Sequence, residues 1–277
     1  MKEGYLIDRV KVEDSIRNEF HKQLMEPFTK ACKAYHLISE GDRIAVCISG
    51  GKDSILMSKL FQELRKHRKV NFDVVFLAMD PGYNSENKAL IGHNAKELGI
   101  DLTFFESGIF EDVDKEPKSP CYICGRKRRG HLYSKAKSLG CNKIALGHHY
   151  DDVIETILIS MLYGGQIQTM MPKVKSRNYE GMELIRPMYL IREKDIASWR
   201  DYNGLRFLSC ACKVASQDMG EDQPSSKREE IKRLIASLKK ENPSVEANIF
   251  KSVENIDLDA VIAYKKDGKK VSFLDDY

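Results

Sequence analysis

The stretch Ile44-Ala45-Val46-Cys47-Ile48-Ser49-Gly50-Gly51-Lys52-Asp53-Ser54 decides the reading of this chain. A short apolar strand feeds a Ser-Gly-Gly turn, and a helix opens directly on Lys52-Asp53-Ser54. Such a turn aims backbone N–H groups and a helix N-terminus at one point, which makes an anion site. Gly50 and Gly51 let the backbone approach a phosphate without a Cβ in the way, and Lys52 adds a full positive charge. A Walker A loop is excluded by counting. That pattern requires Gly where this chain has Val46, and Ser or Thr where it has Asp53.

Working outward, residues 1–42 read as helical, with Phe20, Leu24, Phe28, Cys32 and Tyr35 at helical spacing and Gly41-Asp42 as the stop. After the strand from Arg43 to Ser49 come a helix from Lys52 to His67, an apolar strand from Asp73 to Met79, a helix from Ser85 to Leu98 and a strand from Leu102 to Phe105. Phe110 to Pro120 reads as an acidic loop. A basic helix from Gly125 to Leu139 leads into Lys143-Ile144-Ala145-Leu146-Gly147, and an apolar helix runs from Asp151 to Leu162. Met182 to Ile191 reads as extended and Lys194 to Tyr202 as a helix. From Ser225 onward the chain reads as charged and helical, ending in a polar tail after Lys265. Strands that are apolar throughout and alternate with helices predict an α/β fold with a doubly wound, mostly parallel sheet. Ligands bind beyond the carboxyl ends of such strands. The Ser-Gly-Gly turn, Asp80 to Tyr83 and Gly147 to Asp152 all fall there.

A length of 277 residues allows one sizeable core and a smaller appendage, and a net charge of +4 is too mild to argue for nucleic acid by itself. The N-terminus mixes charges from Lys2 onward without an apolar signal core, and no apolar run is long enough to span a bilayer. These features predict a cytoplasmic protein whose seven cysteines serve as thiols or ligands rather than disulfides.

Cys121-Tyr122-Ile123-Cys124 follows Pro120 at a helix start, a spacing that turns two thiolates toward one metal, while the helix N-terminus lowers their pKa. Cys210-Ala211-Cys212 is a second cluster. Together they suit a four-sulfur zinc site, an iron–sulfur cluster or a redox dithiol. Cys32, Cys47 and Cys141 read as core residues. Arg126, Lys127, Arg128 and Arg129 follow the Cys-x-x-Cys as a solvated face or an RNA-backbone contact, which Lys173, Lys175 and Arg177 would extend. In His148-His149-Tyr150-Asp151-Asp152, a histidine is a candidate base or ligand. Asp151 and Asp152 suit either Mg²⁺ or a helix cap.

Ser49-Gly50-Gly51-Lys52-Asp53-Ser54 resembles the PP-loop of the ATP-pyrophosphatases. The chain is most similar within them to the bacterial tRNA 2-thiocytidine synthetases. The likeness is carried by residues 41–54, by Cys121-x-x-Cys124 with Arg128-Arg129-Gly130, and by residues 143–149. It continues through Tyr163-Gly164-Gly165, Ile185-Arg186-Pro187 and Arg192-Glu193-Lys194-Asp195-Ile196. The resemblance implies an adenine nucleotide alpha hydrolase-like fold and a reaction in which ATP adenylates the C2 oxygen of cytidine 32 of tRNA before sulfur displaces AMP. It implies Ser49, Gly50, Gly51, Lys52, Asp53 and Ser54 at the pyrophosphate, Ala78 and Met79 at the adenine, Gly147 and Asp152 at the nucleotide and its Mg²⁺, and Arg126 to Arg129 on RNA. Lys52, Asp53, Cys121 and Cys124 would be catalytic. A [4Fe-4S] cluster would sit on Cys121, Cys124 and a third thiolate, Cys212 or else Cys210, because the family's Cys-x-x-Cys is Cys-x-Cys here.

The expected layout is an N-terminal helical segment over 1–42, a catalytic domain over 43–212 and a helical extension over 213–277. Expected partners are tRNA and a sulfur donor such as a cysteine desulfurase, with no membrane and with a homodimer as an option. The thiolate pair argues against lysidine synthesis, which needs an amine instead. Thiolation of another base or of a small molecule, and a zinc-stabilised RNA-binding protein, are the competing readings.

Overall fold

The structure, a computed structural model, describes residues 6–107, 120–208 and 226–276, with 120–124 and 276 given by backbone alone. The chain forms two compact units, Met1–Asp152 with Met171–Gln223, and Val153–Met170 with Pro224–Tyr277.

The first unit is built on a six-stranded sheet in the order β3-β2-β1-β4-β6-β5. Its strands are β1 (Arg43–Ile48), β2 (Asp73–Asp80), β3 (Leu102–Glu106), β4 (Lys143–Ala145), β5 (Lys173–Lys175) and β6 (Glu183–Ile185). All neighbours pair parallel except β5 and β6. The expected doubly wound sheet is therefore present. Alternation along β1 splits the core into two layers. Ile44, Val46 and Ile48 pack with Ile55, Leu56 and Leu60 of α3 (Lys52–Lys66), with Ile91 of α4 (Ser85–Glu97) and with Phe28 of α2 (Glu26–Ala34). Ala45 and Cys47 face the other way, onto Leu132, Tyr133 and Ala136 of α5 (Pro120–Ser138).

Two local readings change. The N-terminal helical segment is broken into α1 (Arg9–Arg17), a π-helical turn at His21–Met25, and α2. Pro27, at the start of α2, has no N–H to return to the preceding turn, so the helix is re-registered just before it. The extended reading of Met182 to Ile191 contracts to Glu183–Ile185. The loop expected over Phe110 to Pro120 lies outside the described residues, except for Pro120 itself, which opens α5.

The second unit holds most of α6 (Tyr150–Gly164), then α8 (Lys227–Glu241) and α9 (Val245–Ser252), with α7 (Glu193–Tyr202) belonging to the first. Ser226 caps α8 by accepting from Glu229 N. The charged helices expected here are present, but the polar tail is a hairpin of β7 (Ala263–Lys266) and β8 (Lys269–Ser272). Its two-residue turn is Asp267-Gly268, with φ of 50° and 78°, the left-handed pair of a type I′ turn. Among the described residues no helix is long and apolar enough to cross a membrane.

Helix α1 is tied to α3 by charge. Glu13 accepts from Lys59 at 2.8 Å, Arg9 at 2.9 Å and Lys66 at 3.0 Å, while Arg17 and Lys66 each reach Glu63 at 3.0 Å. The Lys59 side chain is 1% exposed and also donates to the Leu98 carbonyl. Burial raises the Glu13 carboxyl, but hydrogen bonds from Lys59, Arg9 and Lys66 outweigh it and hold the group far below the usual carboxylate range. Because the folded-state pKa is depressed, the stabilisation is present above the unfolded value of 4.5 and is lost as pH falls below it. Glu13→Gln leaves the buried Lys59 ammonium without its counter-charge and is expected to cost about 3 kcal/mol at pH 7. Urea unfolding checks this. The gap to the parent protein should narrow below pH 4.5, and an unchanged midpoint at pH 7 would show that the network contributes nothing.

Candidate functional site

The site lies where β1 and β4 run side by side, with the helix that follows β1 on one face of the sheet and the helix that precedes β4 on the other, the position at which open α/β sheets form a ligand crevice. The turn after β1 is closed from within. Ser54 Oγ donates to the Gly51 carbonyl at 3.0 Å and accepts from Ser49 N at 3.2 Å. Gly51 is the N-cap of α3 and no side chain caps it, so the first N–H groups of the helix remain available to an anion.

Two glycines leave little room for a side chain here. Gly50 sits at φ +84°, and a Cβ on it would lie 2.6 Å from Ile91 Cγ1. A Cβ on Gly147 would lie 3.3 Å from the Asp53 carbonyl carbon and 3.3 Å from Ser54 N, so the loop after β4 touches the backbone of the turn after β1.

Lys52 Nζ stands between Asp53 Oδ1 at 3.1 Å and Glu193 Oε1 at 3.2 Å. Burial pulls its pKa down, but the charges and hydrogen bonds of Asp53 and Glu193 outweigh that and leave it raised. Glu193 is delivered by α7, whose N-terminus is fixed by Asp151. That carboxylate accepts from Glu193 N at 2.7 Å and from Arg192 Nη2 at 3.0 Å. Asp151 thus caps a helix far along the chain rather than its own. Its neighbour Asp152 caps α6, accepting from His149 N at 3.0 Å while His149 Nδ1 accepts from Asp152 N at 3.4 Å, a reciprocal box with histidine in the cap position. His149 is 4% exposed and faces Asp152 and Asp53, with Nε2 to carboxylate distances of 3.6 and 4.0 Å.

A cavity of about 330 Å³ opens on this turn. Its walls include Ser49, Asp53, Ser54, Met79, Gly147, His148 and Asp152 on one side and Gly125, Arg128 and Arg129 of α5 on another. Met79 therefore joins the cavity, whereas Ala78 packs in the opposite core layer. Arg128 and Arg129 line it, and Arg126 is exposed. Lys173 is taken by the His36 carbonyl and by Glu183. Two residues absent from the expected site shape its interior. Arg186 Nε donates to His148 Nδ1 at 3.3 Å, and its Nη1 donates to the Met171 carbonyl. A guanidinium only donates, so Nδ1 of His148 is the acceptor in this contact. Burial pushes Arg186 down to about 10, and it keeps its charge at neutral pH. Glu193, the second such residue, belongs to the Arg-Glu-Lys-Asp motif, and only the fold shows that this motif reaches Lys52.

Backbone alone is described for Cys121 and Cys124, in the first turn of α5, and Cys210 and Cys212 lie outside the described residues. The donor set fits an iron–sulfur cluster in kind, since thiolates are its ligands. Among the described residues no three His, Cys, Asp or Glu side chains are arranged to hold a metal by themselves. The carboxylates do suit Mg²⁺ shared with phosphates: Asp53 Oδ1, although 3.1 Å from Lys52 Nζ, is buried and accepts no hydrogen bond among the described residues, and Asp152 lines the same cavity.

An anion turn after the first central strand, facing a glycine loop after the fourth, defines a PP-loop protein. The PP-loop domain pattern matches residues 16–213. The tRNA-cytidine(32) 2-sulfurtransferase of Anaeromyxobacter dehalogenans is 34% identical over 242 residues, covering 86% of this chain and 81% of the relative. That of Vibrio vulnificus is 34% identical over 257 residues, covering 91% and 79%. The U34-tRNA thiolase NcsA from Methanococcus maripaludis, solved with its [4Fe-4S] cluster, superposes with a TM-score of 0.64 at 20% identity, covering 84% of this chain and 79% of that one, a likeness of fold. The chain belongs to the PP-loop family, in the branch of the tRNA-cytidine(32) 2-sulfurtransferases.

Two outcomes are expected from this geometry. Gly147→Ala should push the turn and weaken Mg·ATP binding at least tenfold by calorimetry, with a thermal midpoint within a few degrees of the parent; unchanged affinity would show that the two loops have slack. Glu193→Gln removes one of the two carboxylates that occupy Lys52 and should tighten pyrophosphate binding several-fold, whereas weaker binding would mean that Glu193 orients the ammonium for its ligand.

Proposed function

We propose that this chain is an ATP-dependent tRNA thiolase that replaces the C2 oxygen of cytidine 32 in the anticodon loop with sulfur. The observation that carries this reading is the shared cavity. The anion turn borders it on one side, and the turns of α5 that directly follow Cys121 and Cys124 border it on another.

A carbonyl oxygen is a poor leaving group. Attack by that oxygen on the α-phosphorus of ATP breaks the bond to pyrophosphate and leaves an adenylated base. Attack of sulfur at C2 then breaks the C–O bond and releases AMP. The uncapped N–H groups of α3 and the turn of Ser49, Gly50, Gly51 and Ser54 hold the departing pyrophosphate, and Lys52 balances its charge. Asp53 and Asp152 hold Mg²⁺, Gly147 leaves room for the nucleotide, and Met79 flanks the adenine. Arg126, Lys127, Arg128 and Arg129 hold the RNA backbone beside the cavity. A [4Fe-4S] cluster on Cys121, Cys124 and Cys212 or Cys210 would supply an open iron at which sulfide is carried. A sulfur donor such as a cysteine desulfurase, a cytoplasmic location and a homodimer complete the reading.

Mass spectrometry of tRNA nucleosides tests it directly. Cells lacking the gene should lose 2-thiocytidine and regain it with the parent protein, and Lys52→Ala should lower AMP release on added tRNA by about 100-fold. Unchanged 2-thiocytidine in the deletion strain would overturn the assignment. A colourless protein after anaerobic purification would overturn the cluster.

A further inference from the structure

In the hairpin of the second unit, Lys265 stands opposite Lys270 and Lys266 opposite Lys269. All four side chains are exposed, and among the described residues none has an ion-pair partner. Several cations elsewhere in this unit are held by partners. Arg228 and Lys232 both face Glu155, Lys239 pairs with Glu246 at 2.6 Å, and Lys227 lies over the Tyr163 ring. Like charges directly opposite each other weaken a two-stranded ribbon, which is marginal to begin with. The tip therefore carries two unfavourable cross-strand pairs, each of which a bound polyanion would relieve.

Register also restricts the shape of that polyanion. Successive residues on a strand point to opposite faces, so one lysine pair projects from one face of the ribbon and the second from the other. A flat anionic surface would meet one pair and leave the other in water. A groove walled by phosphates on both sides meets both. The tight Asp267-Gly268 turn leaves the end of the ribbon narrow enough to enter such a groove.

We infer that the Ala263–Ser272 hairpin is a second RNA-binding element, whose four lysines straddle a phosphate-walled groove of the tRNA and hold the substrate through its backbone, independently of base sequence. This rests on the reading that the chain acts on tRNA. The element lies beyond the matched PP-loop domain, which ends at residue 213.

The test is fluorescence-anisotropy titration of the full chain with an unmodified tRNA transcript, from 50 to roughly 300 mM salt, where each phosphate contact contributes about 0.7 to 0.9 to the slope of log K against log salt. Replacing Lys265, Lys266, Lys269 and Lys270 by Gln should weaken binding at least tenfold at low salt and flatten the slope by about 3. Replacing all four by Arg should restore both. The Gln variant should also keep or raise the thermal midpoint, because it removes like-charge pairs, and should leave ATP binding untouched. An unchanged slope and affinity in the Gln variant overturns the inference. So does restoration failing with Arg, or binding of the parent to phosphatidylserine vesicles that the Gln variant loses while its tRNA affinity stays the same. A parent protein that binds no tRNA at all would instead overturn the tRNA reading itself.

Discussion

The contact on which the first unit depends is the approach of two backbones at the carboxyl edge of the sheet. Gly147, after β4, lies against the peptide of Asp53 and Ser54, and Gly50 turns at positive φ against Ile91 and Leu208. Neither position tolerates a side chain without moving a neighbour. β1 and β4 are adjacent because the crossovers place their helices on opposite faces, and that adjacency brings the two loops together. The apolar strands supply the adhesion and the glycines supply the clearance. Between them they set the width of the cavity.

Around this clearance the charged groups form a connected chain in which Asp53 Oδ1 is left as an open acceptor. Arg192 and the N-terminus of α7 hold Asp151, and the same helix end presents Glu193 to Lys52, which also faces Asp53. Each charge is fixed by the next, so little reorganisation is needed when a phosphate arrives. The arrangement also explains why two adjacent aspartates behave differently. Asp151 points away to clamp α7, while Asp152 turns back onto His149 and borders the cavity.

The anion turn and the mostly parallel sheet were legible because each rests on local pattern: apolar runs, paired glycines and helix periodicity. Glu193 and Arg186 were not, because their roles depend on which loops the fold brings together, and nothing in a charged motif or an Ile-Arg-Pro run encodes that distance. The split between Ala78 and Met79 could have been read from strand alternation, since consecutive strand residues face opposite layers. The hairpin was missed for a different reason. Lysine-rich strands carry a weak β signal, and the Asp-Gly turn between them was the only strong cue.

Cysteine chemistry divides along the same lines. Cys47 lines the cavity, yet burial, with a smaller contribution from Cys141, pushes its thiol up to about 12. Burial does the same to Cys32, also to about 12, on the other side of the sheet. A thiol that stays protonated at neutral pH is neither a nucleophile nor a ligand. Proximity to the cavity is therefore not enough to make a cysteine reactive: the strand that puts Cys47 there also buries it against Leu132 and Tyr133 in an apolar layer. Cys121 and Cys124 are the second and fifth residues of α5, and a helix start is the backbone setting that favours thiolates in general. In the proposed reaction, sulfur chemistry then falls to the helix start and not to the strand.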